Sequence, residues 1–136
     1  FNDNWGYIGL EYLTQDEVKE KIKTRLDKRE ADPEDYQREY AKISEGGEVL
    51  IHIGRQDLMH ANTLWYSYSV ANGAKTLISR KGNEGIPNIK GRDGNWWNTL
   101  TVSLDQPIAD YINVTVTDSK SEQTYEFKVI RTEQVM

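Results

Sequence analysis

Three alternating runs in the last third of the chain restrict its possible folds more than any other feature. Across 98–104, Leu100, Val102 and Leu104 share one parity, and Thr99, Thr101 and Ser103 the other. Ile112, Val114 and Val116 alternate with Asn113, Thr115 and Thr117, and Tyr125, Phe127 and Val129 alternate with Glu126 and Lys128. A period of two built on β-branched and aromatic residues marks strands with one buried face. Pairing Val116 with Tyr125, Val114 with Phe127 and Ile112 with Val129 puts all the apolar residues of the last two runs on one side, so 111–117 and 124–130 are predicted to close the domain as a hairpin.

The rest of the chain supplies more strands and one helical interruption. Residues 5–12 read as a short edge strand in which Ile8, Leu10 and Tyr12 share a parity, weakened by Gly6 and Gly9. Thr14 and Glu17 have the spacing of a capping box, and Val18, Ile22 and Leu26 then recur at helical intervals, which predicts a helix over about 15–29. Asp32 followed by Pro33 starts a second helix, with Tyr36, Tyr40 and Ile43 as its stripe and Gly46-Gly47 as its end. The charged faces of both helices read as solvated, with a partner-binding helix pair as the alternative. Strand character returns over 48–53, where Val49, Ile51 and Ile53 face one way, and is broken by Gly54-Arg55-Gln56-Asp57.

Residues 63–80 read as a hairpin about an Asn72-Gly73 type I′ turn. With Ala71 opposite Ala74, Trp65 falls opposite Arg80, and Leu64, Tyr66, Tyr68 and Leu77 form the core face. Residues 82–95, with Gly82, Gly85, Gly91 and Gly94, form a loop longer than the usual connection of about 4–6 residues; Ile86 and Ile89 suggest that part of it packs down. Parity then sends Trp96 to the core with Leu100 and Val102, and Trp97 outward with Thr99 and Thr101. Asp105-Gln106-Pro107 reads as a turn.

Strand runs separated by turns, with no alternating helices, predict a mainly β fold: an antiparallel β-sandwich, immunoglobulin-like in general architecture, with an αα-hairpin inserted at about 14–45 of a single 1–136 domain. The Cys-Trp-Cys spacing of immunoglobulin domains is missing, since the chain has no cysteine. The alternative is an α+β arrangement with the helical hairpin packed on one sheet. A length of 136 residues suits one domain.

The absence of cysteine excludes disulfides, thiolate catalysis and cysteine-ligated zinc. A net charge of −5 argues against an electrostatic grip on nucleic acid or anionic lipid. No apolar run approaches the roughly 20 residues that span a bilayer. The first residue, Phe1, is not methionine, which reads as a trimmed or processed product. Gly-x-Ser-x-Gly, P-loop, dinucleotide and His-Glu-x-x-His signatures are all missing.

The remaining candidates are constellations. His52 and His60 would make an acid–base or metal pair only if the fold joined them, and otherwise are ordinary polar side chains. Asn83, Glu84, Asp93 and Asn95 carry the oxygens of calcium-binding loops, with Asp57, Asp105, Asp110 and Asp118 elsewhere; turn chemistry explains them as well. Trp97, with Arg92 and Asp93 just before it, is the leading surface group, suited to stacking on a sugar or anchoring a protein, and Trp65 is the second; both would be structural if they filled a core.

These features predict a non-catalytic binding or adhesion-type module of a larger secreted or envelope protein. It would recognise protein or carbohydrate through the 82–97 region, using Trp97, Arg92, Asp93 and Trp65, without cofactor or metal. A carboxylate-based hydrolase using Asp93 and Glu84, and a calcium- or lipid-dependent module, are the alternatives.

Overall fold

The computed structural model describes residues 2–3, 6–72, 75–87, 89–106, 108 and 111–130. In chain order the elements are β1 (Asn2–Asp3), β2 (Gly6–Leu13), α1 (Gln15–Lys28), α2 (Pro33–Tyr40), β3 (Glu48–Arg55), a 3₁₀ turn (Thr63–Trp65), β4 (Tyr66–Asn72), β5 (Lys75–Lys81), β6 (Ile89–Lys90), β7 (Trp96–Ser103), β8 (Tyr111–Asp118) and β9 (Gln123–Ile130). One sheet has the order β1-β2-β3-β7-β6 and the other β5-β4-β8-β9. The protein is a mainly β, antiparallel sandwich-like fold with two helices near its N-terminus.

By compactness the chain divides into two units, one of 1–10, 51–100 and 108–136, the other of 11–50 and 101–107. In the first unit the inward parities supply the core: Ile8, Ile51, Ile53, Tyr66, Val70, Ile112, Val114, Val116 and Tyr125 are all buried. The closing hairpin has the predicted register, with Val116 opposite Tyr125, Val114 opposite Phe127 and Ile112 opposite Val129. Phe127 and Val129 are half-buried because β9 ends the sheet.

The second unit holds the helices. Thr14 caps α1 through a capping box: Glu17 N–H donates to Thr14 Oγ1 at 3.2 Å and Thr14 N–H to Glu17 Oε1 at 3.3 Å. Val18 and Leu26 are buried on its inner face. Proline at the start of α2 needs no N–H partner there. The helix stops at Tyr40, earlier than Gly46-Gly47, and single-turn hydrogen bonds carry the backbone on through Lys42 and Ile43. Gly47 (φ 78°) then makes the reversal into β3, with Gly46 N–H donating to Leu104 O at 2.9 Å and Leu104 N–H to Gly47 O at 3.0 Å. Tyr12 Oη donates to Gly46 O at 2.8 Å and secures the same corner.

Two expectations are corrected. In the β4–β5 hairpin Tyr68, not Trp65, lies opposite Arg80, and the register slips once between Val70 and Ala71. Asn72 pairs with Lys75, which moves the reversal one residue along; Gly73 and Ala74 lie outside the described residues. The reversal and the slip together shift the pairing by three positions. An odd shift turns the strand over beyond the slip; Leu77, left without a partner at the slip on the edge strand β5, is 47% exposed. Leu64, in the 3₁₀ turn, is exposed as well. The second correction is the 82–95 loop. Its first half is fastened by Gly82 N–H to Tyr66 O (2.7 Å), Thr63 Oγ1 to Asn83 O (2.6 Å) and Gly85 N–H to Asn62 Oδ1 (2.9 Å). Its second half is a small hairpin in which β6 pairs with β7, Ile89 opposite Trp97 and Lys90 opposite Trp96. Pro87 is buried, whereas Ile86 and Ile89 are exposed. Trp5, Pro107 and Asp110, named above in a strand, a turn and a carboxylate set, lie outside the described side chains.

Candidate functional site

The outward face of β2, β3 and β7 carries Tyr7, Gly9, His52, Gly54, Trp97 and Thr99, by strict alternation with buried Ile8, Ile51 and Ile53. Trp97 is half-buried and follows the outward parity expected of it. Its indole lies flat on backbone. A Cβ placed on Gly54 would come within 2.8–3.0 Å of its six-membered ring, and one on Gly91 within 2.7 Å of Nε1. Gly54 thus lies under the six-membered ring and Gly91 beside the indole N–H edge, and a side chain at either position would displace the ring. Tyr7 repeats the arrangement over Gly9, where an added Cβ would meet the phenol ring at 2.4 Å. The two aromatic centroids are 5.7 Å apart and the planes are inclined by 55°.

Asp93 fixes the indole within its own plane. Trp97 Nε1 donates to Asp93 Oδ1 at 3.3 Å, and the same oxygen accepts from Asn95 N–H at 3.0 Å, while Asn95 Nδ2 donates to Oδ2 at 3.2 Å. The bond from the Asn95 amide, followed by the indole N–H, holds the Asp93 carboxyl below the usual carboxylate range. Gly91 N–H to Asn95 O (2.8 Å) and Gly94 at φ 85° close the turn that carries this carboxylate. Beside the rings, His52 Nδ1 is 3.1 Å from Thr99 Oγ1. The result is a supported aromatic surface with hydroxyl, imidazole and carboxylate groups at its margin.

The other expected residues are placed differently. Arg92 is exposed on the same turn and makes no ion pair among the described residues. Trp65 belongs to another locality: Ser119 N–H and Oγ both donate to Trp65 O, and the Lys120 amine stands 5.5 Å from its ring centroid. Trp96 is half-buried rather than a core residue, since it starts β7 opposite the two-residue edge strand, and Lys90 Nζ lies 5.7 Å from its ring centroid. The two histidines have separate partners, Thr99 for His52 and Asp118 for His60. Among the described residues no group of three or more His, Asp or Glu is arranged to hold a metal.

One cluster was missed by the sequence reading. Arg55 and Asp118 are both fully buried between the two sheets of the first unit, with Arg55 Nη2 3.1 Å from Asp118 Oδ2. Arg55 also donates to Tyr66 Oη (3.0 Å, from Nε) and Tyr125 Oη (3.1 Å). Tyr66 Oη donates to His60 O at 2.8 Å and Tyr125 Oη to Gln123 Oε1 at 2.7 Å. His60 Nε2 approaches the same Asp118 oxygen at 2.5 Å, and Asp118 Oδ1 accepts from Lys120 and Ser121 N–H. Burial pushes the Tyr66 phenol up, outweighing the lowering by Arg55, so the hydroxyl stays protonated and able to donate. The signal was parity: Arg55 continues Val49, Ile51 and Ile53, and Asp118 continues Ile112, Val114 and Val116. This network is saturated with internal partners and is a clamp between sheets; the half-buried Tyr7 and Trp97 lie instead on the outward face of β2, β3 and β7.

No protein-family model matches the chain, and neither curated proteins nor solved structures include a significant match. What defines the class is therefore its own geometry: an antiparallel sandwich-like fold with an aromatic platform on one outer sheet face. Among the described residues, no helix is long and apolar enough to cross a membrane.

Proposed function

We propose that this protein is a non-catalytic binding module that recognises carbohydrate through the Tyr7–Trp97 face. The observation that carries the reading is the pair of rings laid flat on glycine backbone, with the indole rotation fixed by Asp93. The flat C–H face of a sugar stacks on such a ring, and its hydroxyls take up the carboxylate, hydroxyl and imidazole groups at the edge. A rigid support matters energetically, because a side chain already held in its bound conformation loses little entropy on binding. Glycine floors have a cost in backbone freedom of about 0.5–1 kcal/mol each relative to alanine within a strand. Accepting that cost at both Gly9 and Gly54 favours a role for the surface above them.

Carbohydrate is preferred over a protein partner because the platform is small and has acceptor groups at its margin. Work outside the cytoplasm, in a larger secreted or envelope protein, is part of the same proposal. The test is a glycan-array screen followed by tryptophan-fluorescence titration of wild type and Trp97→Ala. Binding lost in the variant, with the melting curve retained, supports the reading. Undiminished glycan binding by Trp97→Ala, or no binding to any glycan, refutes it.

A further inference from the structure

The inclination between the two rings restricts which glycans suit the surface. Tyr7 and Trp97 sit 5.7 Å apart, close enough for neighbouring sugars of one chain, but their planes differ by 55°. Neither ring can simply rotate flat with the other. The indole is backed by Gly54, flanked at its N–H edge by Gly91 and tethered by Asp93, and the phenol is backed by Gly9. We infer that the platform selects a glycan chain whose successive sugar planes turn relative to one another, and discriminates against flat ribbon-like chains and crystalline polysaccharide faces. This inference rests on the carbohydrate-binding reading and deepens it.

The chemistry follows from linkage. In β-1,4-linked glucan the sugar rings stay parallel along the chain, so one ring lying on the indole puts the next edge-on to the tilted phenol. In α-1,4- and β-1,3-linked glucans each ring turns with respect to the last, and consecutive sugars can each meet an aromatic face. The ionised Asp93 at the indole edge accepts hydrogen bonds from sugar hydroxyls, which a neutral glucan supplies along its whole length. Tyr7 is then the specificity residue: Trp97 holds one sugar of any glucan, and Tyr7 reads the orientation of the next.

Fluorescence titration with maltoheptaose, laminarihexaose and cellohexaose, together with retention on microcrystalline cellulose, tests this. The expected result is that at least one turned chain binds about tenfold or more tighter than cellohexaose, a difference of about 1.4 kcal/mol. Tyr7→Ala should abolish that preference while leaving weak, Trp97-dependent binding. Tyr7→Leu, which keeps an apolar side chain over Gly9, serves the same purpose if the alanine variant does not fold. Equal or tighter Trp97-dependent binding of cellohexaose or cellulose would overturn the selectivity and leave the carbohydrate reading intact. Quenching by none of these glucans would overturn the selectivity, and failure across the wider glycan screen would remove the carbohydrate reading as well.

Discussion

Replacing Asp118 with leucine removes the carboxylate that Arg55 meets between the sheets. Arg55 has 1% and Asp118 0% side-chain exposure, so the guanidinium has no route to solvent without local opening. Breaking a buried pair from one side costs about 3–5 kcal/mol, since the surviving charge remains desolvated. Two backbone N–H groups, of Lys120 and Ser121, also lose their acceptor. Total stability of a domain is about 5–15 kcal/mol, so this single change removes a large share of it. At about 3–5 °C per kcal/mol for a chain of this size, Tm should fall by roughly 10–20 °C. Arg55→Met should cost somewhat less, about 2–4 kcal/mol, because Asp118 keeps His60 and the two amides. The double variant Arg55→Met/Asp118→Leu leaves no uncompensated charge, and its loss should fall short of the sum by about 2 kcal/mol or more. Urea denaturation of the four proteins measures the cycle. Additivity within about 0.5 kcal/mol, or single losses under about 1 kcal/mol, would refute the coupling.

Further outcomes follow from the same geometry. Gly54→Ala should lift the indole off β3, reduce glycan affinity by about tenfold, roughly the loss of 1.4 kcal/mol, and shift the tryptophan emission; unchanged emission and affinity would mean that the ring does not rest there. Val114→Ala should destabilise by about 2 kcal/mol or more in chemical denaturation, whereas Thr115→Ala, on the opposite parity, should stay within about 0.5 kcal/mol; equal losses would invert the faces. Asp93 has a folded pKa depressed below its unfolded value. Its contribution is therefore present above the unfolded value and is lost as pH falls through the folded one, and NMR titration should place its midpoint below the usual carboxylate range. Tyr36 has the opposite sign: its hydrogen bond to Asp27 pushes the phenol up to about 12. The associated stability is complete below pH about 10 and is lost as pH rises toward 12, which alkaline absorbance titration would follow; ionisation at the ordinary tyrosine value would contradict it.

The regular parts of this fold were legible because local and tertiary preferences agree there. Ile112–Val116 and Tyr125–Val129 carry one unambiguous alternation, and their observed register is the one that buries it. The Thr14/Glu17 capping box is a short-range device, so its spacing alone located the start of α1. The β4–β5 register was not legible, because the slip at Val70/Ala71 leaves no mark in residue type. The clamp was obscured by an assumption about chemistry. Arg55 and Asp118 follow buried parity, but a charged residue at a strand end reads as the start of a loop unless its partner, 63 positions away, is known. Trp97 was found by parity; Tyr7 was missed as its neighbour because pairing between distant strands is a long-range fact. The floor glycines Gly9 and Gly54 looked like strand breakers, and their use under the rings emerges only when β2, β3 and β7 stand in one sheet.

The central claim is that ligand meets the protein on the Tyr7–Trp97 face. Amide and indole chemical-shift mapping during titration with a glycan selected from the array tests it most directly. The largest changes should fall on the Trp97 indole N–H and on the amides of Gly54, Gly91 and Asn95, with little change along β4 and β5. Shifts concentrated on β4, β5 or the α1–α2 hairpin, with the Trp97 indole signal unmoved at saturation, would contradict it.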